Sequence, residues 1–399
     1  METLDLVIVA AYLVLMVAVG WWVAGLASRN AESYFLAGKS LPWYLIGIAH
    51  GSSGIDITGT IWFVTMLFIY GAKGIWLLWI WPLFNVIFRM VYLGAWVRRS
   101  NVLTGAEWMR TRFGVGMGGE LAYLSVVIYA LVSVVGFLSY AFQGLAKFCE
   151  PFVPWAGVSP EVFAAVVMLV TGIYCVVGGM YSVIWNDLIQ FTLMLIAAVV
   201  VAAVAIVTTT PEAILAKVPE GWDNLFFGWR LELDWSGLIP ELNERIYGAE
   251  GDGYSFFFLF LLLLLVKGVF VSMAGPTPNY AIQHVLSTRN PREAALENLV
   301  MSVVSLGPRY LLIGGIAVLG IVYYSESLAA MGSRVDFESI LPRVIKDHLP
   351  VGCRGLLVAG MLTAFMSTFV STVHSWAAYV VNDVYRRYLR PDASPRRLV

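Results

Sequence analysis

Apolar windows of about 20 residues, the length that crosses roughly 30 Å of hydrocarbon, recur along this whole chain. They cover residues 4–26, 41–70, 74–97, 118–147, 162–177, 183–208, 254–275, 299–324 and 353–381, about nine in all. In lipid every backbone polar group must be satisfied internally, so such windows are helices. Composition agrees. With 59% hydrophobic and 13% charged residues, 399 residues hold too few polar groups to cover a soluble globule. The expected class is an all-α polytopic membrane protein. The leading residues include Glu2 and Asp5 with no Lys or Arg, unlike a cleaved signal, so the first window is expected to remain a span.

Basic residues set the orientation. Arg29, Lys39, Arg98, Arg99, Arg110, Arg112, Arg289, Arg292, Arg386, Arg387, Arg390, Arg396 and Arg397 all fall on one side of such a chain, which is therefore the cytoplasmic side. The longest opposite loop, 211–252, holds three basic against nine acidic residues. This places the N-terminus outside and the C-terminus inside a plasma membrane. Residues 104–112, with Trp108 and Met109 among charges, read as a short helix at the inner interface. A net charge of −1 gives no nucleic-acid footprint. Cys149, Cys175 and Cys353 lack metal-ligand spacing and read as small buried residues. His50, His284, His348 and His374 are scattered and no nucleophile stands beside a base, so no enzyme is expected. His50 alone precedes an interruption, where a titrating group would lie near a cavity.

Two windows are interrupted. Residues 49–60 read AHGSSGIDITGT, placing glycines, hydroxyls and Asp56 at lipid depth. Freed carbonyls are tolerated there only around a cavity or a cation, and a buried acid needs a counter-charge. Residues 266–279 read VKGVFVSMAGPTPN, where Gly268, Gly275, Pro276 and Pro278 weaken a helix and Lys267 lies near mid-depth. Paired interruptions of this kind point to an inverted-repeat transporter. Lys267 then either balances Asp56 or holds an anionic group of the solute; the alternative is a lysine that snorkels to the interface.

Several motifs carry a family resemblance, in order along most of the chain: YFLAGKSLPW at 34–43, LTGAEW at 103–108, RFG at 112–114, GGMYSVIWNDLIQ at 178–190, NYAIQ at 279–283 and GLLVAGMLTAFMST at 355–368. Together they resemble the sodium:solute symporter family, which includes sodium/glucose, sodium/proline and sodium/pantothenate carriers. The resemblance implies a leucine-transporter-type fold of two inverted five-helix repeats with one extra N-terminal helix. On that reading 4–26 is the extra helix, 41–208 the first repeat, 209–252 an extracellular loop, 253–381 a partial second repeat and 382–399 a cytoplasmic tail. The resemblance leaves repeat two with three spans, so the chain is expected to be incomplete after the eighth core helix, part of which would then face lipid.

The resemblance also implies a Na+ site between the broken first core helix and the eighth. The carbonyls of Ser52 and Ile55 would face the ion with the carbonyl of Ala364 and the hydroxyls of Ser367 and Thr368. Such oxygens suit a hard monovalent cation; the alternative for the two hydroxyls is bonding to their own helix. Asp56 fits two registers. A local match to proline carriers makes it an ion-site acid and moves the carbonyl donors to Gly54 and Ile57. Asp187 matches an acid tied to cation coupling, while a helix N-terminus favours it on structural grounds alone. Solute candidates are Asp56, Thr58, Trp62, Phe137, Tyr140, Gln143, Lys267, Val271 and Ala274. Sugar carriers of the family place a Glu in the second core helix, and residues 76–89 contain no acid, which favours an amino acid or organic acid. The implied partners are a small solute, Na+ and the bilayer, with Na+ as coupling ion and no cofactor. A second class is a non-transporting sensor, because symporter-like domains also occur fused to signalling kinases; a kinase extension in the surrounding sequence would favour it.

Overall fold

The computed structural model describes residues 1–78, 84–152, 158–248, 251, 254–273 and 280–393. Helix accounts for 82% of the structure, and the described residues contain no strand. The elements used below are α1 (Thr3–Ala27), α2 (Trp43–Ser53), α3 (Ile57–Tyr70), α4 (Gly105–Phe113), α5 (Met117–Cys149), α6 (Pro160–Thr208), α7 (Phe257–Met273), α8 (Tyr280–Ser287), α9 (Pro291–Ala329) and α10 (Cys353–Ala378). By length and composition, six helices among the described residues are able to cross a membrane, and the window over α10 and its extension is 89% buried.

Two expected windows, 162–177 and 183–208, form one helix, α6, that bends at Gly179 (φ 50°, ψ −149°). Glycine is required there twice over. The positive φ excludes ordinary side chains, and a Cβ would sit 2.7 Å from the Tyr34 carbonyl oxygen. The expected window 41–70 is divided into α2 and α3 at its Gly-Ser-Ser-Gly run. Glycine and serine are weak in helix interiors, so α2 ends at Gly54; Asp56 then caps α3, accepting from the Gly59 N–H at 2.5 Å.

α2 lies hard against α9. A Cβ on Gly47 would meet the Glu297 carbonyl at 2.7 Å and one on Gly51 the Val304 side chain at 2.7 Å, so this Gly-x-x-x-Gly face lets two backbones approach closely. α10 packs on α6 and α1. The expectation that part of it faces lipid is corrected: α1 covers it, with Asp5 receiving the Gly352 and Gly355 N–H groups at 2.8 and 2.9 Å and Tyr12 donating to Met366 Sδ. The tail expected from 382 is helical through Leu389 in π-wound form, and Arg387 pairs there with Glu120. α4 matches the expected interfacial helix in extent, but Trp108 points inward against Trp96.

The acid-rich loop is folded, with short helices at Pro211–Leu215 and Pro240–Tyr247. It closes the end of α3. The indoles of Trp222 and Trp235 donate to the carbonyls of Phe68 and Ile69 at 2.9 and 3.1 Å, satisfying terminal groups the helix leaves open.

Candidate functional site

The break between α2 and α3 meets the middle of α10 and the bend region of α6 in a buried nest of oxygens. Thr368 Oγ1 lies 2.9 Å from the Ser53 carbonyl oxygen, 3.0 Å from that of Ala364 and 3.4 Å from that of Ile55. It has one proton for the three. Ser53 Oγ lies 3.0 Å from the Ala49 carbonyl, 3.0 Å from Asp187 Oδ2, 2.8 Å from Ser371 Oγ and 3.3 Å from Ser367 Oγ. Ser52 Oγ is buried with no partner. Acceptors thus outnumber the protons that reach them, in a setting where unsatisfied lone pairs are costly. One carboxylate among neutral hard oxygens, with no thiolate or imidazole, suits a monovalent alkali cation.

Of the two registers, the structure places the Ile55 carbonyl at Thr368, while the Gly54 carbonyl accepts Arg309 Nη2 at 2.6 Å. The Ser52 carbonyl accepts the Ile55 N–H at 3.0 Å within the turn that ends α2. Ser53 and Ser371 belong to the nest and were not among the sequence candidates. Ser371 follows Ser367 by one helical turn, and Ser53 shares the interrupted run, so both were legible as a hydroxyl stripe.

Asp56 stands beside this nest. Its nearby cation is Arg309 of α9, whose charge acts on it. Lys267, proposed for that role by sequence, is exposed on α7. Arg309 had a readable signal, since an Arg in an apolar window marks a polar interior. Thr58 packs under α5, where a Cβ on Gly144 would collide with its hydroxyl. One turn along α5, Tyr140 is 42% exposed and its ring lies 6.0 Å from that of Phe137. Trp62 is half-buried against Phe63, Gln143 and Val271 are exposed, and Ala274 lies outside the described residues.

Phe137 also lines a cavity of about 450 Å³ between α5, α8 and α10, with Ser133, Tyr280, Thr372, Ser375 and Trp376. Thr372 Oγ1, Ser375 Oγ and Trp376 Nε1 have no hydrogen-bond partner. Such a wall offers hydroxyls, an indole N–H and aromatic faces to a small polar solute.

Earlier on α2, His50 Nδ1 lies 2.5 Å from Glu297 Oε1, and Asn298 donates to Glu297 Oε2 at 2.8 Å. The His284 ring stacks on His50 at 4.8 Å with 9° between planes. Arg89 interacts electrostatically with Glu297. His50 is thus held by Glu297 and His284 of α9 and α8.

The model of the family described as "Sodium:solute symporter family" matches residues 34–399. Sodium/glucose cotransporter 4 of Danio rerio is 26% identical, covering 100% of this chain and 60% of its own length. The sodium/myo-inositol cotransporter of Mus musculus is 26% identical over 100% of this chain and 56% of its own length. The sodium/glucose cotransporter of Vibrio parahaemolyticus is 23% identical, over 99% and 71%. This chain therefore spans little more than half the length of several curated relatives. The fold is also similar to that of a Na+-coupled sialic acid symporter in a substrate-bound outward-open state, with a TM-score of 0.76 at 17% identity, covering 100% of this chain and 76% of that one.

Proposed function

The chain belongs to the sodium:solute symporter family, a family of multi-pass membrane transporters and not of enzymes, and from that premise we propose that it serves sodium-coupled secondary active symport of a small organic solute. The observation that carries the reading is the surplus of acceptors at Thr368: three carbonyls converge on a hydroxyl with a single proton. In this reading Na+ is held by the Ile55 and Ala364 carbonyls and the Ser367 and Thr368 hydroxyls, with Ser52 beside them. Asp187 supplies the counter-charge and couples the ion to α6 through Ser53. Because the Ile55 carbonyl comes from the unwound segment and the other three ligands from α10, ion occupancy favours the conformation that brings the two together.

The proposed architecture is two inverted five-helix repeats, of which this chain contributes the first over 41–208 and part of the second over 253–381, after an extra helix at 4–26. About nine spans, N-terminus outside and C-terminus cytoplasmic, follow from the loop charges. For the solute, Arg309 beside Asp56 supports an amino acid or organic acid over a sugar. A neutral polyol is the second reading, favoured by the hydroxyl-lined cavity at Phe137 and by relatives named for glucose and myo-inositol. Uptake into liposomes with and without an inward sodium gradient tests the proposal. Accumulation that needs the gradient supports symport, and equal uptake in both for every solute removes it.

A further inference from the structure

We propose that Arg309 and Asp56 form a two-point clamp for a zwitterion, the guanidinium taking a carboxylate and the Asp56 carboxylate taking an ammonium. The inference rests on the symport reading and specifies its solute site. Arg309 reaches the break from α9 and is only 6% exposed. Its head is anchored twice, through Nη2 to the Gly54 carbonyl at 2.6 Å and by the Phe63 ring 5.4 Å from Cζ. That leaves donors over, since a guanidinium carries five N–H groups, and Nε is buried with no partner at all. A guanidinium fixed on one edge with an open second edge is a ready partner for a carboxylate.

Asp56 lies two residues beyond Gly54, so its Cα is within about 7 Å of the residue that anchors Arg309. Its Oδ1 is used by the Gly59 N–H as the cap of α3. Oδ2 accepts no hydrogen bond from the described residues, and the side chain is half-buried, not sealed. Opposite charges this near in a dry setting normally collapse into a pair. Here they do not: among the described residues no ion pair joins them, and each is held elsewhere by one atom, Arg309 Nη2 on Gly54 and Asp56 Oδ1 on Gly59. A held cation and a held anion at one helix break are complementary to a molecule with one charge of each sign. Tyr140, one turn from the Gly144 contact with Thr58, stands open beside it as a wall for the solute's apolar part. Ile55, whose carbonyl faces Thr368, immediately precedes Asp56, so solute and ion would draw on the same unwound segment.

The test is sodium-driven uptake into liposomes of each common L-amino acid, of glucose and of myo-inositol. The expected result is accumulation of at least one amino acid, with its decarboxylated amine and its deaminated acid each at least about 30-fold weaker as competitors. Arg309→Gln should bring the amine within about threefold of the amino acid, and Asp56→Asn should do the same for the deaminated acid. Arg309→Lys keeps the charge without the fork and should give an intermediate preference, which serves if the glutamine variant does not fold. Sodium-driven uptake of glucose or myo-inositol alone, or discrimination unchanged in the variants, overturns the clamp and leaves symport standing. No sodium-driven uptake of any solute overturns the symport reading and the clamp with it.

Discussion

One short helix, α2, carries two buried polar clusters of opposite character. The end bearing Ser52 and Ser53 meets α10 and α6 in hydroxyls, carbonyls and one carboxylate. His50, less than one turn earlier, meets α9 and α8 in an imidazole, a second imidazole, a carboxylate and an arginine. Hydroxyls rotate and exchange partners at small cost, so in the proposed reading the first cluster would admit an ion and release it. The charged cluster is centred on Glu297 in a low dielectric, and removing that carboxylate leaves the others uncompensated. The lesson is that the same half-helix is fixed to one neighbour and adjustable against the other.

The largest effect should come from the fixed side. Glu297→Ala leaves His50 and Arg89 without their anion and is expected to cost about 3–5 kcal/mol in unfolding followed in detergent, by the same amount with or without sodium. Wild-type stability for this variant would break the comparison. Next, Gly47→Val forces a Cβ toward the Glu297 carbonyl and should cost about 1–3 kcal/mol; tolerance would mean that α2 is not held against α9.

On the adjustable side the signature reverses. Thr368→Val removes the hydroxyl but keeps the shape, so stability without sodium should change by about 1 kcal/mol or less. The sodium concentration for half-maximal stabilisation should rise about tenfold, the equivalent of about 1.4 kcal/mol in the ion's binding. An unchanged sodium midpoint would remove Thr368 from the ion site. Ser371→Ala is expected to be milder, about threefold in the same midpoint, because Ser371 reaches the nest through Ser53. An effect larger than that of Thr368→Val would move the centre of the site toward Asp187.

The first helix break and its hydroxyls were legible because their causes are local, whereas of the second expected interruption α7 is helical through Gly268 to Met273 and 274–279 lie outside the described residues. Gly-Ser-Ser-Gly followed by Asp56 weakens one helix and caps the next, and Ser367 and Ser371 lie on one face by spacing alone. The partner of Asp56 was not legible. Lys267 and Arg309 both sit in apolar windows, and only the placement of α9 against the break puts Arg309 there. The burial of α10 escaped for a related reason: α1 covers it through contacts such as Asp5 to Gly355.

By itself, then, the sequence determined the all-helical class, the first interruption and the hydroxyls gathered beside it, since each follows from apolar length, backbone propensity or helical spacing. Tertiary structure alone decided which carbonyl turns toward Thr368, that His50 belongs to Glu297 and that Arg309 stands at Asp56. These pairings join residues 247 to 313 positions apart, and at such separations it is close helix packing, through contacts like Gly47 and Gly51 on α9, that selects which buried charges meet.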